Sequence, residues 1–157
     1  MSFGSNVTFS KDNTIGTFLN GDYLTSGTYL TSDQVNMIED NTTWYLGTVG
    51  DASYKLAKYQ DATGSNLTIS TTTAKIGLLR IGELMTGQFD KNDNNTSYWT
   101  LTPDSTLHVR YVDYRSDVSS IGSTNPYCFR PSMNLKSTVK IVSGTGTKSN
   151  PFVLSGN

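Results

Sequence analysis

The sequence predicts an α+β protein dominated by short strands, and three observations carry that reading. Strong helix formers are scarce, with Glu39 and Glu83 as the two glutamates, while Ser, Thr, Asn and Gly, which favour turns and extended structure, abound. The main helical spacing of apolar residues falls within the first forty positions. From Tyr98 onward, short apolar runs alternate with turn residues at strand-like intervals.

At 157 residues the chain can bury one good core and is short for two, so 1–157 reads as a single domain. Hydrophobic residues make up 35% and charged residues 16%, which leaves Ser, Thr, Asn and Gly to supply the polar surface, a mixture suited to an exported β-rich protein. The net charge of −1 and the scattered Lys and Arg give no basic stripe, so nucleic acid is not an expected partner. No apolar run approaches a membrane span, and Met1-Ser2-Phe3-Gly4-Ser5 is not a signal peptide. The chain is then either cytosolic or an ectodomain cut from a longer exported protein. One cysteine, Cys128, excludes an internal disulfide and a multi-thiolate zinc site.

Taken in order, Ile15, Phe18, Leu19 and Leu24 recur at helical spacing, with Asn13 or Thr14 as cap and Gly27 beyond the end. A second short helix is expected from Ser32, as capping residue, through Val35 and Ile38 to about Asp40. Trp44-Tyr45-Leu46 and Tyr54 to Tyr59 read as short strands or aromatic loops, and Ala62 to Thr73 as an exposed connection. Lys75 to Leu79 has the run of a buried strand, and Ile81 to Met85 reads as a turn or two of helix ended by Gly87. Phe89 to Ser97 is a polar loop. Strands are then expected at Tyr98 to Leu101, Leu107 to Val112, Val118 to Ile121 and Met133 to Leu135. A terminal hairpin at about 138–155 pairs Val139 to Val142 with Phe152 to Leu154.

In that order the pieces resemble a family: the C-type-lectin-like domains at the C-termini of bacterial surface and pilin-like proteins. The resemblance rests on Thr17-Phe18-Leu19-Asn20-Gly21-Asp22-Tyr23-Leu24, Trp44-Tyr45-Leu46-Gly47, Lys75-Ile76-Gly77-Leu78, Tyr98-Trp99-Thr100-Leu101-Thr102-Pro103, and Arg130-Pro131-Ser132-Met133-Asn134-Leu135-Lys136. Gly144-Thr145-Gly146-Thr147 and Asn150-Pro151-Phe152 complete it. It implies two short N-terminal helices packed on a small twisted antiparallel sheet with long loops. Where the family carries Gly before its R-P segment, this chain has Cys128 followed by Phe129.

The placement of the Tyr98 to Ser132 stretch also resembles the variable region of proteins diversified by retroelements, in which template adenines are randomised. An AAC codon randomised in this way never yields Trp, Met, Gln, Lys or Glu. None of the five occurs from Thr100 to Ser132, although they make up 19 of the other 124 residues. The same window holds His108, Cys128 and three of the four arginines. Cys128 reads either as a product of such randomisation or as a small buried hydrophobe.

Leu107, Val109 and Tyr111 alternate with His108 and Arg110, so His108 and Arg110 are expected to face outward, with Asp113 to Asp117 as the hairpin tip. Tyr and Arg dominate interface hot spots, and loops rich in Tyr, Ser, Gly and Asn resemble antibody paratopes. The expected contacts are Asp104, Ser105, Leu107, His108, Arg110, Asp113, Tyr114, Arg115, Asp117, Cys128 and Phe129. Trp99 and Arg130 read as scaffold.

Enzymatic readings find little support. His108 has no G-x-S-x-G partner motif, and one cysteine cannot supply the cysteine pair of the copper oxidases that share the fold. Asp90 to Asn95 resembles the start of a calcium loop but lacks its Gly and Glu, and Asn125-Pro126 has no acidic partner for a calcium-dependent sugar site. No cofactor or metal is expected. The expectation is a ligand-binding surface domain, extracellular or phage-displayed, that contacts an unknown protein or glycan. Attachment to a longer surface or pilin-like chain stays open. The alternative is a non-variable pilin-like or adhesive subunit.

Overall fold

The computed structural model describes residues 1–50, 70–86 and 96–156. Among these, short helices and small antiparallel sheets alternate, a mixed α+β arrangement. Helix α1 (Thr14–Asn20) starts where Asn13 accepts the Gly16 N–H at 2.8 Å, which makes Asn13 the cap. It buries Ile15 and Leu19. The single helix expected up to Gly27 instead breaks at Gly21, and α2 (Asp22–Thr25) follows as one separate turn. Asn20 binds both the N–H and the C=O of Ile76, each at 2.9 Å, so the end of α1 is fixed to the middle of the chain. Helix α3 (Ser32–Met37) is capped by Thr31, not Ser32. Thr31 and Gln34 form a reciprocal capping box. The helix stops at Ile38, whose extended backbone bridges Leu135.

Strand β1 (Thr42–Leu46) alternates buried and exposed residues along its length. It pairs with β2 (Ser70–Ala74), which converts the end of the expected Ser/Thr-rich connection into a strand. Its threonines can serve because one face of this ladder lies open, where polar β-branched residues suit an extended backbone. Trp44 donates its indole N–H to the Ala74 carbonyl at 2.9 Å and lies against Gly77, where a Cβ would come within 2.6 Å of the ring. Strand β3 (Gly77–Leu78) is buried and pairs with β7 (Pro131–Ser132). The expected strand at Met133 to Leu135 therefore lies earlier, at Pro131–Ser132, and Leu135 contributes one bridge. Helix α4 (Ile81–Thr86) begins with the Ile81 N–H bound to the Thr102 hydroxyl at 3.0 Å. The expected features at Tyr54 to Tyr59, Gly87 and Asp90 to Asn95 lie outside the described residues.

The centre is a three-stranded sheet in the order β4 (Tyr98–Pro103), β5 (His108–Val112), β6 (Val118–Gly122). Every residue of β4 is buried. One edge pairs with β5, and the other is met by Leu79 and Cys128, which hydrogen-bond to Leu101 and Trp99. Both faces are covered too. Trp99, Leu101 and Val109 join the main core with Phe3, Phe9, Ile15, Leu19 and Leu78, while Tyr98 and Val112 pack with Leu84 on the opposite face. The first nine residues thus reach the core as an irregular segment, with Phe3 and Phe9 fully buried.

Strands β8 (Lys140–Ser143) and β9 (Val153–Ser155) form the expected terminal hairpin. Its turn depends on Gly144, at φ 92°, where any Cβ would collide with the Pro151 carbonyl. Among the described residues, no helix is long and apolar enough to cross a membrane.

Candidate functional site

The hairpin tip between β5 and β6 is built by Asp113. Its carboxylate accepts the Arg115 N–H at 2.7 Å and the Asp117 N–H at 3.0 Å, while its backbone closes the turn with Ser116 and Asp117. Ser116 takes the left-handed region at φ 68°. Asp113 is therefore occupied in shaping the turn, as short Asx side chains do. One oxygen serves both backbone N–H groups, and the other faces the Arg115 guanidinium at 3.9 Å. What the turn presents is Tyr114, 55% exposed, with the Arg115 guanidinium 5.0 Å from its ring centroid. Asp117 is exposed beside them.

Tyr114 forms one wall of an open groove of about 420 Å³, shared with Met1, Thr96, Ser97, Pro126, Tyr127 and Cys128. Cys128 is exposed, which removes its reading as a buried hydrophobe. Its backbone is anchored to Ser97 and Trp99, so the thiol is held at a fixed place on the groove wall. Tyr127 stacks on Tyr111 at 4.6 Å and meets the edge of Trp99 at 5.2 Å, which roots the groove in the core. Loss of solvent around Tyr127, then its hydrogen bond with Tyr111, holds its phenol above the ordinary range. It stays a neutral donor and acceptor under physiological conditions.

The remaining candidates do not join this surface. Ser105, Leu107 and His108 sit at the β4–β5 turn, at the other end of β5, and a strand of five residues spans about 17 Å. There the Ser105 hydroxyl accepts the Leu107 and His108 N–H groups and lies 3.3 Å from His108 Nδ1. Leu107 is 71% exposed, contrary to the alternation that placed it inward. Regular pairing of β5 starts at His108, so Leu107 belongs to the turn and escapes the period of two.

Arg110 is the largest correction. It is 4% exposed, with its guanidinium bound to the Asp104 carboxylate and its Nε donating to the Val49 carbonyl at 3.1 Å. The alternation was right about which face Arg110 lies on, but that face is covered by the segment around Val49. Asp104 and Arg110 therefore form a buried pair that fastens this segment to the sheet, and neither is available as a contact. Phe129 is half-buried and packs edge-on to Phe18 at 5.2 Å and Tyr23 at 6.4 Å, away from the groove lining.

Of the eleven candidates, Tyr114, Arg115, Asp117 and Cys128 come together at one end. Pro126 and Tyr127 were missed, although Tyr127 stands in the same window and is an aromatic beside the singled-out Cys128. Trp99 is core as expected, 1% exposed, and Arg130 lies on the surface with its guanidinium 4.1 Å from the Tyr98 ring centroid. No protein-family model matches the chain, and neither the curated proteins nor the solved structures contain a significant match.

Proposed function

We propose that this chain is a ligand-binding, receptor- or adhesin-type surface domain of C-type-lectin-like fold, diversified by a retroelement, which acts by binding and not by catalysis. Its ligand, a protein or a glycan, meets Tyr114, Arg115 and Asp117 of the tip and Tyr127 and Cys128 of the groove. The supporting observation is the exposed Tyr114–Arg115 pair, which lies in the Thr100–Ser132 window free of Trp, Met, Gln, Lys and Glu and stands beside a groove lined by Tyr114 and Tyr127. Large, stiff Tyr rings and Arg guanidinium groups supply contact area at low entropic cost. Beneath them, Asp113 and Trp99 belong to the fixed part, so the tip can change its side chains without loss of the fold. The setting is the outside of a bacterial cell or of a phage.

Sequencing sister copies of the locus tests this reading. Differences confined to template adenines, and concentrated at codons 114, 115, 117, 127 and 128, are the expected result, with a template copy and a reverse transcriptase nearby. Differences spread evenly along the chain would falsify it. A second reading, a pilin-like or adhesive structural subunit, draws on the exposed apolar residues of the terminal hairpin.

A further inference from the structure

Asn20 and Gly21 form the one Asn-Gly pair of the chain. Asparagine is a chemically labile residue, and before glycine it is most open to attack from its own backbone, because a residue without Cβ leaves its nitrogen unhindered. The fold holds this pair shut. Asn20 Nδ2 donates to the Gly16 carbonyl at 3.1 Å and to the Ile76 carbonyl at 2.9 Å, which uses both its hydrogens, while Oδ1 accepts the Ile76 N–H at 2.9 Å. The Gly21 nitrogen in turn donates its hydrogen to the Phe18 carbonyl at 3.3 Å. Both residues are needed where they stand. A side-chain amide donates to and accepts from the backbone of one residue, which a carboxylate cannot do, and a Cβ at position 21 would come within 2.7 Å of the Thr17 carbonyl oxygen. The joint between α1 and the middle of the chain therefore rests on a reactive dipeptide.

We infer that Asn20 is a self-modification site, open to attack by the Gly21 nitrogen only while α1 is lifted from Ile76, and that its product keeps α1 from docking again. In this step the bond from the Gly21 nitrogen to Asn20 Cγ forms and the bond from Cγ to Nδ2 breaks. The amide leaves as ammonia with the proton of the Gly21 nitrogen. Water then opens the cyclic imide at one of its two carbonyls and gives aspartate or isoaspartate, so no oxidant or reductant takes part. An aspartate still accepts the Ile76 N–H, but it sets a charged acceptor against the Gly16 and Ile76 carbonyls, which have lost their donor, at a half-buried place. It also puts a negative charge at the C-terminal end of α1, where the helix dipole is negative. An isoaspartate lengthens the main chain between α1 and α2 by one carbon. Opening of the N-terminal helices is thus recorded in a covalent bond. The inference stands independently of what the groove binds.

Incubation of the full chain at mildly alkaline pH, folded and in urea, with peptide mapping of aspartate and isoaspartate at position 20, tests it. Conversion is expected to run about tenfold or more faster in urea, because a reaction confined to the opened form goes at a rate set by how rarely that form is populated. Ile15→Val thins the buried face of α1 without touching the reacting pair, so it should speed conversion of the folded chain and leave the rate in urea unchanged. Asn20→Asp, which carries the product's carboxylate, should melt below the parent or fail to fold, and either outcome supports the block on docking. Equal rates folded and in urea, or no conversion in urea, overturn the site. A folded Ile15→Val chain that reacts at the parental rate overturns the link to α1, and an Asn20→Asp chain that melts with the parent overturns the block.

Discussion

The central sheet and the terminal hairpin are made from similar residues and carry opposite burdens. Tyr98–Pro103 is buried at every position, edge and face, whereas Lys140–Ser143 is exposed at every position. Local sequence does not separate them, because Trp-Thr-Leu-Thr and Lys-Ile-Val-Ser are both acceptable strands. The difference comes from what the rest of the chain lays over each. The N-terminal segment, α1, α4 and the segments around Val49 and Cys128 surround the central sheet. Among the described residues, Gly156 at the base of the hairpin lies close to Met37. The contrast teaches that burial here is assigned by topology, and that the proposed contact surface lies at the rim of the buried part.

The largest expected effect sharpens this contrast. Trp99→Ala removes a ring that packs on Phe3 at 5.8 Å and on Tyr127, and should cost about 3–5 kcal/mol in urea unfolding. Ile141→Ala on the hairpin should change stability by less than about 0.5 kcal/mol. Equal costs at the two sites would break the comparison. Next, Arg110→Ala strands the Asp104 carboxylate in a buried place and should cost about 3 kcal/mol or more, by the same measurement. Adding Asp104→Asn should recover part of that loss. An exposed, contact-making Arg110 would show neither the loss nor the recovery.

A smaller effect has the opposite sign. The Tyr98 hydroxyl is buried without a hydrogen-bond partner among the described residues, so Tyr98→Phe should be neutral or stabilise by up to about 1 kcal/mol, read as a rise in Tm. A clear fall in Tm would show a bond made by that hydroxyl in solution. The smallest effect concerns the joint between body and hairpin. Asp40 takes a hydrogen bond from Lys75 at 2.7 Å and has Lys136, which leads into the hairpin, at 3.5 Å. The Lys75 hydrogen bond, then the charges of Lys75 and Lys136, hold its carboxyl below the usual 3.8. A carboxyl whose folded pKa is lowered stabilises fully above its unfolded value and loses that contribution as pH falls through the folded one. Asp40→Asn should therefore lower Tm slightly at neutral pH, by an amount that shrinks in high salt and disappears well below pH 3.8.

Much of the local structure was present in the sequence. A cap at Asn13 or Thr14, a strand or loop at Trp44, the helix after Arg80, the strands from Tyr98 and the terminal hairpin all follow from spacing and turn residues that act within a few positions, and the structure takes Asn13 and the strand. The exposure of the candidate contacts was legible in part. Tyr114, Arg115, Asp117 and Cys128 stand where exposure and side-chain chemistry placed them, because a tight polar turn and a segment bonded at its backbone are local features. Arg110 was expected to face outward and is covered because it is claimed by partners that the sequence does not show beside it, Asp104 and the Val49 carbonyl, and Phe129 is likewise held by an aromatic cluster on the N-terminal helices.

By itself, the sequence determined the alternation that puts Val109 inward and His108 on the other face, the turn chemistry of Asp113 to Asp117, and the window whose composition sets it apart. Only the tertiary structure decided that the outward face of Arg110 is covered while that of His108 is open, and that the two ends of β5 carry separate surfaces. The reason is physical. Period and propensity are properties of neighbours along the chain, whereas the covering of a face is a contact such as Arg110 with Val49, sixty-one residues apart.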